Sequence, residues 1–512
     1  MKLKVKVLGI DSGGKPIVFL NRYDAEELGI TALGRIRLKS KKTIIAIVNL
    51  SQTMKKGYIG INEEVRKHLK LKTEMDVDVD ISTFPKSLQY IRHKLNGKKL
   101  LPKEIQEIIK GVVEGNLTES EISAFVTTLH TQGLDLDEIN WLSLAMVNTG
   151  KKLHLKKKII VDKHSIGGVP GDKTSLLVVP IIASAGLTIP KTSSRAITSA
   201  AGTADRAEVL MPVNLNIKEL QRVVKKCNGC ISWGGSLELA PADDIFVKTE
   251  YSLFIDPLLM PSIMSKKKAV GATHLIVDIP TGIGTKMQTI EDADHLAKNL
   301  IELGRRLNIH THCILTHGEQ PIGLTIGPAL EAKEALEVLM NKSNVSDLIE
   351  KACNIAGAVF ELSGKQNGYA LAKKILESGK AEKKLREIIH NQGGDSNIRP
   401  NEIKIGKFYH YVKSKKNGYI LRINNNEIVE IARTLGSPKD HGAGILLNKK
   451  QGDTVLKNEI LFTLFSENPT KLSRAKTVLK TQNPISVGKK IDVVIHKVKE
   501  SPLLEETFII DR

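Results

Sequence analysis

The sequence predicts a multidomain α/β protein, and three changes of pattern along its 512 residues predict it. Up to about Ser82, short apolar–polar alternations are broken by glycine turns. From Glu104 to Thr149, apolar residues recur at helical spacing. After about Lys158, strand, loop and helix alternate. The reading is an N-terminal β-barrel-like domain over 1–84 and a helical subdomain over 85–160. A central α/β domain over 161–403 follows, with a returning helical segment near 250–270, and then a C-terminal α+β domain over 404–512. A chain this long divides into about two to four units, and 41% hydrophobic residues suffice for several cores.

Each element has its own signal. In the first unit Lys2–Leu8, Ile17–Leu20 and Lys42–Val48 read as strands, with turns at Ser12-Gly13-Gly14 and Lys56-Gly57. Asp24–Leu28 and Glu63–Leu69 read as helices. In the second, Glu104–Glu114, Glu119–Gln132 and Leu136–Thr149 are helices, and Thr118 with Glu121 forms a Thr-x-x-Glu capping box. In the third, strands are expected at Ile159–Val161, Leu187–Pro190, His274–Asp278 and Thr311–Thr316, with helices at Thr174–Ala185 and Glu291–Leu307. The last unit carries short strands at Gly418–Asn424, Gly442–Leu447, Gly452–Val455 and Ile460–Phe465.

The formal net charge of +20 admits nucleic-acid binding or the handling of small anions. The lysines are scattered or in short clusters such as Lys156-Lys157-Lys158 and Lys266-Lys267-Lys268. Aromatic residues are only 4%, and no nucleic-acid-binding motif is present, which favours small anions. Apolar runs long enough to span a bilayer are absent, and Met1–Val7 reads as a strand rather than a signal peptide, so a soluble cytoplasmic protein is expected. Cys227 and Cys230 form a lone CxxC; with Cys313 and Cys353 they read as reduced packing cysteines, and no metal is expected.

Two loops carry the chemistry. The first runs Lys163-His164-Ser165-Ile166-Gly167-Gly168-Val169-Pro170-Gly171-Asp172-Lys173-Thr174-Ser175 between a strand and a helix. Its glycines let backbone approach an anion, the helix start favours negative charge, and Lys163, Ser165 and Ser175 add a cation and two hydroxyls. A glycine-rich turn with capping hydroxyls explains the composition equally well. The second, Lys191-Thr192-Ser193-Ser194-Arg195-Ala196-Ile197-Thr198-Ser199-Ala200-Ala201-Gly202-Thr203-Ala204-Asp205, packs hydroxyls, one Arg and small residues after a strand. These types suit sugar and phosphate oxygens, and equally a Ser/Thr-rich helix cap.

Together the two loops resemble the thymidine phosphorylase/pyrimidine-nucleoside phosphorylase family. Within it the chain is most similar to the archaeal-type AMP phosphorylases, through Gly-Gly-Val-Pro-Gly, Thr-Ser-Ser-Arg-Ala-Ile-Thr-Ser and the N-terminal β domain. Trp233-Gly234-Gly235 to Asp244, Gly318-Glu319-Gln320-Pro321 to Glu331, and Ala432-Arg433 to Gly444 extend the match over nearly the whole chain. The resemblance implies that Lys163, Ser165, Ser175, Ser193 and Thr203 bind the attacking phosphate. It implies that Gly168, Ser194, Arg195, Ala196, Ile197, Thr198, Ser199 and Thr203 hold the nucleotide, that Asp256 is the proton donor, and that Ser262 and Lys286 add contacts. Lys248, Ser262 and Lys266 fall where the thymidine enzymes hold their base with Arg, Ser and Lys; Lys for Arg argues against pyrimidine recognition. The stretch from Asp256 to Ser262 is shorter than the family's usual linker.

What is implied is phosphorolysis of AMP or another nucleoside 5′-monophosphate, or of a nucleoside, with inorganic phosphate as co-substrate, no cofactor, and a homodimer or larger homo-oligomer. Phosphate attacks C1′ while the base leaves, so a cation must hold the dianion, an acid must meet the base, and water must be excluded. Asp256 or His164 is the expected acid, and the apolar run Leu253-Phe254-Ile255 before Asp256 is expected to raise its pKa. Thymidine or another nucleoside phosphorylase, a phosphoribosyltransferase, and a basic nucleic-acid-binding protein are the competing readings.

Overall fold

The computed structural model describes residues 1–82, 85–196 and 199–489. The expected barrel boundary at residue 84 and the end of the C-terminal unit lie outside them.

Strand β1 (Lys2–Val7), β2 (Ile17–Leu20), helix α1 (Arg22–Glu27), β3 (Arg35–Lys39), β4 (Thr43–Leu50), β5 (Tyr58–Ile61), α2 (Glu63–Leu69) and β6 (Asp76–Ile81) build the first unit. Its six strands close into a barrel in the order β1-β5-β2-β4-β3-β6. Alternation dictates the closure: Leu3 and Val5 point inward beside Ile36, Leu38, Val77 and Val79, while Lys2, Lys4 and Lys6 face out. The barrel docks on the next unit through Arg35, which pairs with Glu121 and donates to Thr118 Oγ1 at 3.0 Å.

That unit is a bundle of α3 (Lys86–Leu95), α4 (Pro102–Val113), α5 (Glu119–Gln132) and α6 (Leu136–Thr149). The capping box of α5 is formed: Thr118 N donates to Glu121 Oε2 at 2.8 Å, and Glu121 N to Thr118 Oγ1 at 3.4 Å. Inside, Lys94 and Glu138 make a buried pair at 2.8 Å.

The central unit runs β7 (Val161–Ser165), α7 (Thr174–Ser184), β8 (Ile189–Ser193), α8 (Thr203–Glu208), α9 (Ile217–Cys227), β9 (Gly229–Trp233), α10 (Pro241–Leu253), α11 (Leu259–Ala269), β10 (His274–Thr281), α12 (Ile290–Arg306), β11 (His310–His317), β12 (Thr325–Ile326), α13 (Pro328–Leu339), α14 (Ser346–Leu362), α15 (Gly368–Glu377) and α16 (Lys380–Gln392). Strands β11, β10 and β7 pair in parallel, as do β8 and β9, and an isolated parallel bridge between Ile160 and Thr188 links the two groups. Helices α10 and α11 return to the bundle, where Phe246 and Leu258 join the core around Phe125. The C-terminal unit has β13 (Phe408–Lys413), β14 (Gly418–Ile423), α17 (Asn425–Leu435), β15 (Gly444–Leu447), β16 (Thr454–Val455), β17 (Ile460–Ser466), α18 (Pro469–Val478) and β18 (Ile485–Gly488). Among the described residues no helix is long and apolar enough to cross a membrane.

Two expected strands lie farther along the chain. Strand β7 starts at Val161 and β8 at Ile189, so Lys163, His164, Ser165, Lys191 and Ser193 are strand residues rather than loop residues. Both strands bury charged side chains: Asp162 binds Lys267 Nζ at 2.6 Å, and Lys191 Nζ donates to the Lys163 carbonyl at 2.7 Å. Paired buried charges satisfy the interior without an apolar signal.

Candidate active site

At the carboxyl ends of β7, β8 and β9, where parallel sheets place ligand sites, lies a cavity of about 310 Å³. Its floor is cationic. Lys163 is 2% exposed and its ammonium makes no hydrogen bond within the described residues, although the amine faces the cavity. Burial lowers its pKa, against the pull of Asp172 and Asp278. Lys191 beside it is likewise held well below the ordinary lysine value by burial and by Lys267. His164 is pushed well below the imidazole value by burial and then by Lys267, Lys191, Lys266 and Lys163, so it is neutral near pH 7. Three lysines with Asp162 as the carboxylate paired to two of them leave this floor short of negative charge, which an anion supplies.

Ser165, Ser175, Ser193 and Thr203 also line the cavity. Ser175 lies in the first turn of α7 and Thr203 opens α8. The turn between β7 and α7 needs its glycines: Gly168 has φ +94°, and a Cβ there would meet Lys286 N at 3.1 Å. At Gly202 a Cβ would lie 2.6 Å from Ala196 N, so only glycine lets the second loop fold back on itself.

A network that sequence reasoning missed sits behind the floor. Asp172 lines the cavity; burial opposes its charge, but Lys351, Lys163 and a hydrogen bond from Thr174 Oγ1 hold its carboxyl well below the usual range. Lys351 of α14 also meets Asp278 of β10 at 2.9 Å, and Arg206 donates to the Asp172 carbonyl and pairs with Glu331 at 3.0 Å. These partners are far apart in sequence, and no local motif marks them.

Other expected residues divide. Gly168, Ser194, Arg195, Ser199, Lys266 and Lys286 line the cavity; Ala196 stands beside it, its N–H donating to Asp205 Oδ2 at 2.7 Å, and Ile197 and Thr198 lie outside the described residues. Arg195 is already engaged: it bonds Glu208 twice, at 2.6 and 2.7 Å, reaches Asp205 at 3.3 Å and lies 5.1 Å over the Trp233 ring. Lys248 is exposed and does not line the cavity, nor does Ser262, which accepts from Lys266 Nζ at 3.2 Å.

Asp256 is also outside the cavity wall, 40% exposed, and bonded to Lys286 Nζ at 2.5 Å. The apolar setting expected for it is not there: Phe254 is 86% and Leu253 45% exposed, because the turn after α10 faces solvent. The buried carboxyl of this region is Glu250, which accepts from Leu258 N at 3.0 Å; burial, and then Asp256, push it up to about 7. The four cysteines are unpaired, and burial raises each thiol, Cys227 to about 11. Among the described residues no group of three His, Cys, Asp or Glu side chains is placed to hold a metal.

The chain matches the glycosyl transferase family helical bundle domain over residues 88–150 and the glycosyl transferase family a/b domain over 157–382. It matches the pyrimidine nucleoside phosphorylase C-terminal domain over 419–486. It is 46% identical over 490 residues to an AMP phosphorylase of Thermofilum pendens, with 96% of each chain covered. The chain belongs to the AMP phosphorylase family. The AMP phosphorylases of Thermococcus sibiricus and Methanocaldococcus jannaschii are 48% and 47% identical, each over 95% of this chain and 98% and 97% of theirs. An anthranilate phosphoribosyltransferase from Thermus thermophilus shares the fold over 59% of this chain and 99% of that one, with a TM-score of 0.52 at 17% identity. Membership of the AMP phosphorylase family makes this a glycosyltransferase with the N-terminal barrel, helical bundle, α/β and C-terminal units expected from the sequence.

Proposed function

We propose that this cavity binds AMP and inorganic phosphate and converts them to adenine and ribose 1,5-bisphosphate. The observation that carries the reading is the cationic floor of the cavity, set in a chain related over its whole length to AMP phosphorylases. Lys163 holds the attacking phosphate, with Ser165, Ser175, Ser193 and Thr203 donating to its oxygens. A phosphate oxygen forms the bond to C1′ as the bond from C1′ to the base nitrogen breaks, and the bonding pair leaves with the base. Once Lys286 turns from Asp256 to the substrate, the Asp256 carboxylate takes up a proton from solvent and delivers it to the base as the base leaves. Neutral His164 donates or accepts a hydrogen bond rather than acting as a cationic acid. Arg195, Lys286 and the backbone from Ser194 to Ser199 hold the 5′-phosphate and ribose; each of the two cations gives up a carboxylate partner to do so.

A cytoplasmic setting suits the unpaired cysteines, and a homodimer or larger assembly belongs to the same reading, measurable by light scattering. The test of the function is phosphate-dependent base release from a panel of nucleosides and their 5′-monophosphates. Release from AMP that requires phosphate supports it; release from nucleosides alone moves the chain to a nucleoside phosphorylase.

A further inference from the structure

The side of the cavity built by the end of β9, α10 and α11 presents Trp233, Leu239, Ala240 and Ile263, with Asp244 and Lys266 as its charged residues. Aromatic and apolar walls suit the faces of a heterocyclic base, and the few polar groups set among them read its edge. Lys266 is committed to Asp243 at 2.6 Å and donates to Ser262 Oγ at 3.2 Å. The Asp244 carboxylate makes no hydrogen bond or ion pair within the described residues. Asp244 is exposed at the cavity wall, and partial burial and then Asp243 push its carboxyl above the usual range, so its oxygens are open to a ligand donor. The first turn of α10 already holds Asp243 to serve the helix start.

We propose that Asp244 is the base-reading residue of this site: its carboxylate accepts a hydrogen bond from the exocyclic 6-amino group of adenine. The proposal rests on the reading of the cavity as a site of nucleotide phosphorolysis. An ionised carboxylate only accepts, so it bonds an amino edge and repels the carbonyl oxygen of a 6-oxo purine.

The experiment compares kcat/KM for AMP and for inosine 5′-monophosphate, at saturating phosphate, in the wild type, Asp244→Asn and Asp244→Ala, with thermal melts to verify folding. The wild type prefers AMP by about tenfold or more, the size of one charge-assisted bond. Asp244→Ala loses about tenfold on AMP and changes the 6-oxo nucleotide by less than about twofold, and Asp244→Asn, which both donates and accepts, narrows the preference from both sides. Equal losses on the two nucleotides mean a structural role for the first turn of α10 and overturn the proposal, as does no loss on either. A wild type that releases no base from AMP removes the underlying reading, and the proposal with it.

Discussion

The two sides of the cavity differ in how their charges are held. On the sheet side, Lys163 and Lys191 are buried and His164 is half-buried on strands β7 and β8, backed by Asp162 and Lys267. On the helical side, Asp256 and Lys286 are about two-fifths exposed and bonded to each other. A rigid desolvated cation is ready for a dianion before it arrives. An exposed ion pair exchanges partners at small cost, because water screens both states. The comparison teaches that the phosphate half is preorganised, whereas the half that meets the base and the 5′-phosphate must rearrange on binding.

The largest expected effect follows on the sheet side. Lys163→Ala should lower kcat/KM for phosphate by about a hundredfold or more, from roughly 3 kcal/mol of charge-assisted binding in a buried site. The KM for the nucleotide should change little. Steady-state kinetics with phosphate varied reads this out, and unchanged phosphate dependence breaks the contrast. Asp256→Asn should lower kcat by roughly a hundredfold, the range of general acid catalysis, while KM for the nucleotide falls modestly because Lys286 no longer gives up a partner. If His164→Ala abolishes turnover while Asp256→Asn keeps it, the acid is on the sheet side instead. Arg195→Ala should cost about tenfold on AMP and less on adenosine, since its exchange of Glu208 for phosphate recovers only part of a charge-assisted bond.

The smallest effect is on stability. Burial raises the Glu250 carboxyl from its ordinary value to about 7 in the folded chain. Below the unfolded value the protonated group costs nothing; as pH rises through 7, folding must carry a buried charge, so stability falls across that window. Glu250→Gln should therefore stabilise the protein by ~1–2 kcal/mol at pH 8 and hardly at pH 4.5. Denaturant titrations at the two pH values check it; equal effects at both would remove Glu250 as the titrating group.

Where the sequence was legible, local physics was strong. Glu119–Gln132 and Leu136–Thr149 end where apolar spacing and caps place them, and the alternation of the first unit closes into its barrel. The glycine-rich turn and the Ser/Arg loop do face one cavity. What escaped was long-range compensation. Strands β7 and β8 carry Asp162, Lys163 and Lys191 in their interior, and only partners such as Lys267 make those charges tolerable. Lys351 looks like an ordinary residue of an amphipathic helix until Asp172 and Asp278 meet it. The outward turn of Leu253 and Phe254 also defeated the inference from an apolar run to a buried acid at Asp256.

The most direct test of the account is the ratio of kcat/KM for AMP to that for adenosine, measured with the same phosphate concentration. Two contacts to the 5′-phosphate, each an exchange of a carboxylate partner that recovers part of a charge-assisted bond and is worth about tenfold, predict a ratio of about a hundredfold. Equal efficiency on the two, or a clear preference for adenosine or thymidine, contradicts it.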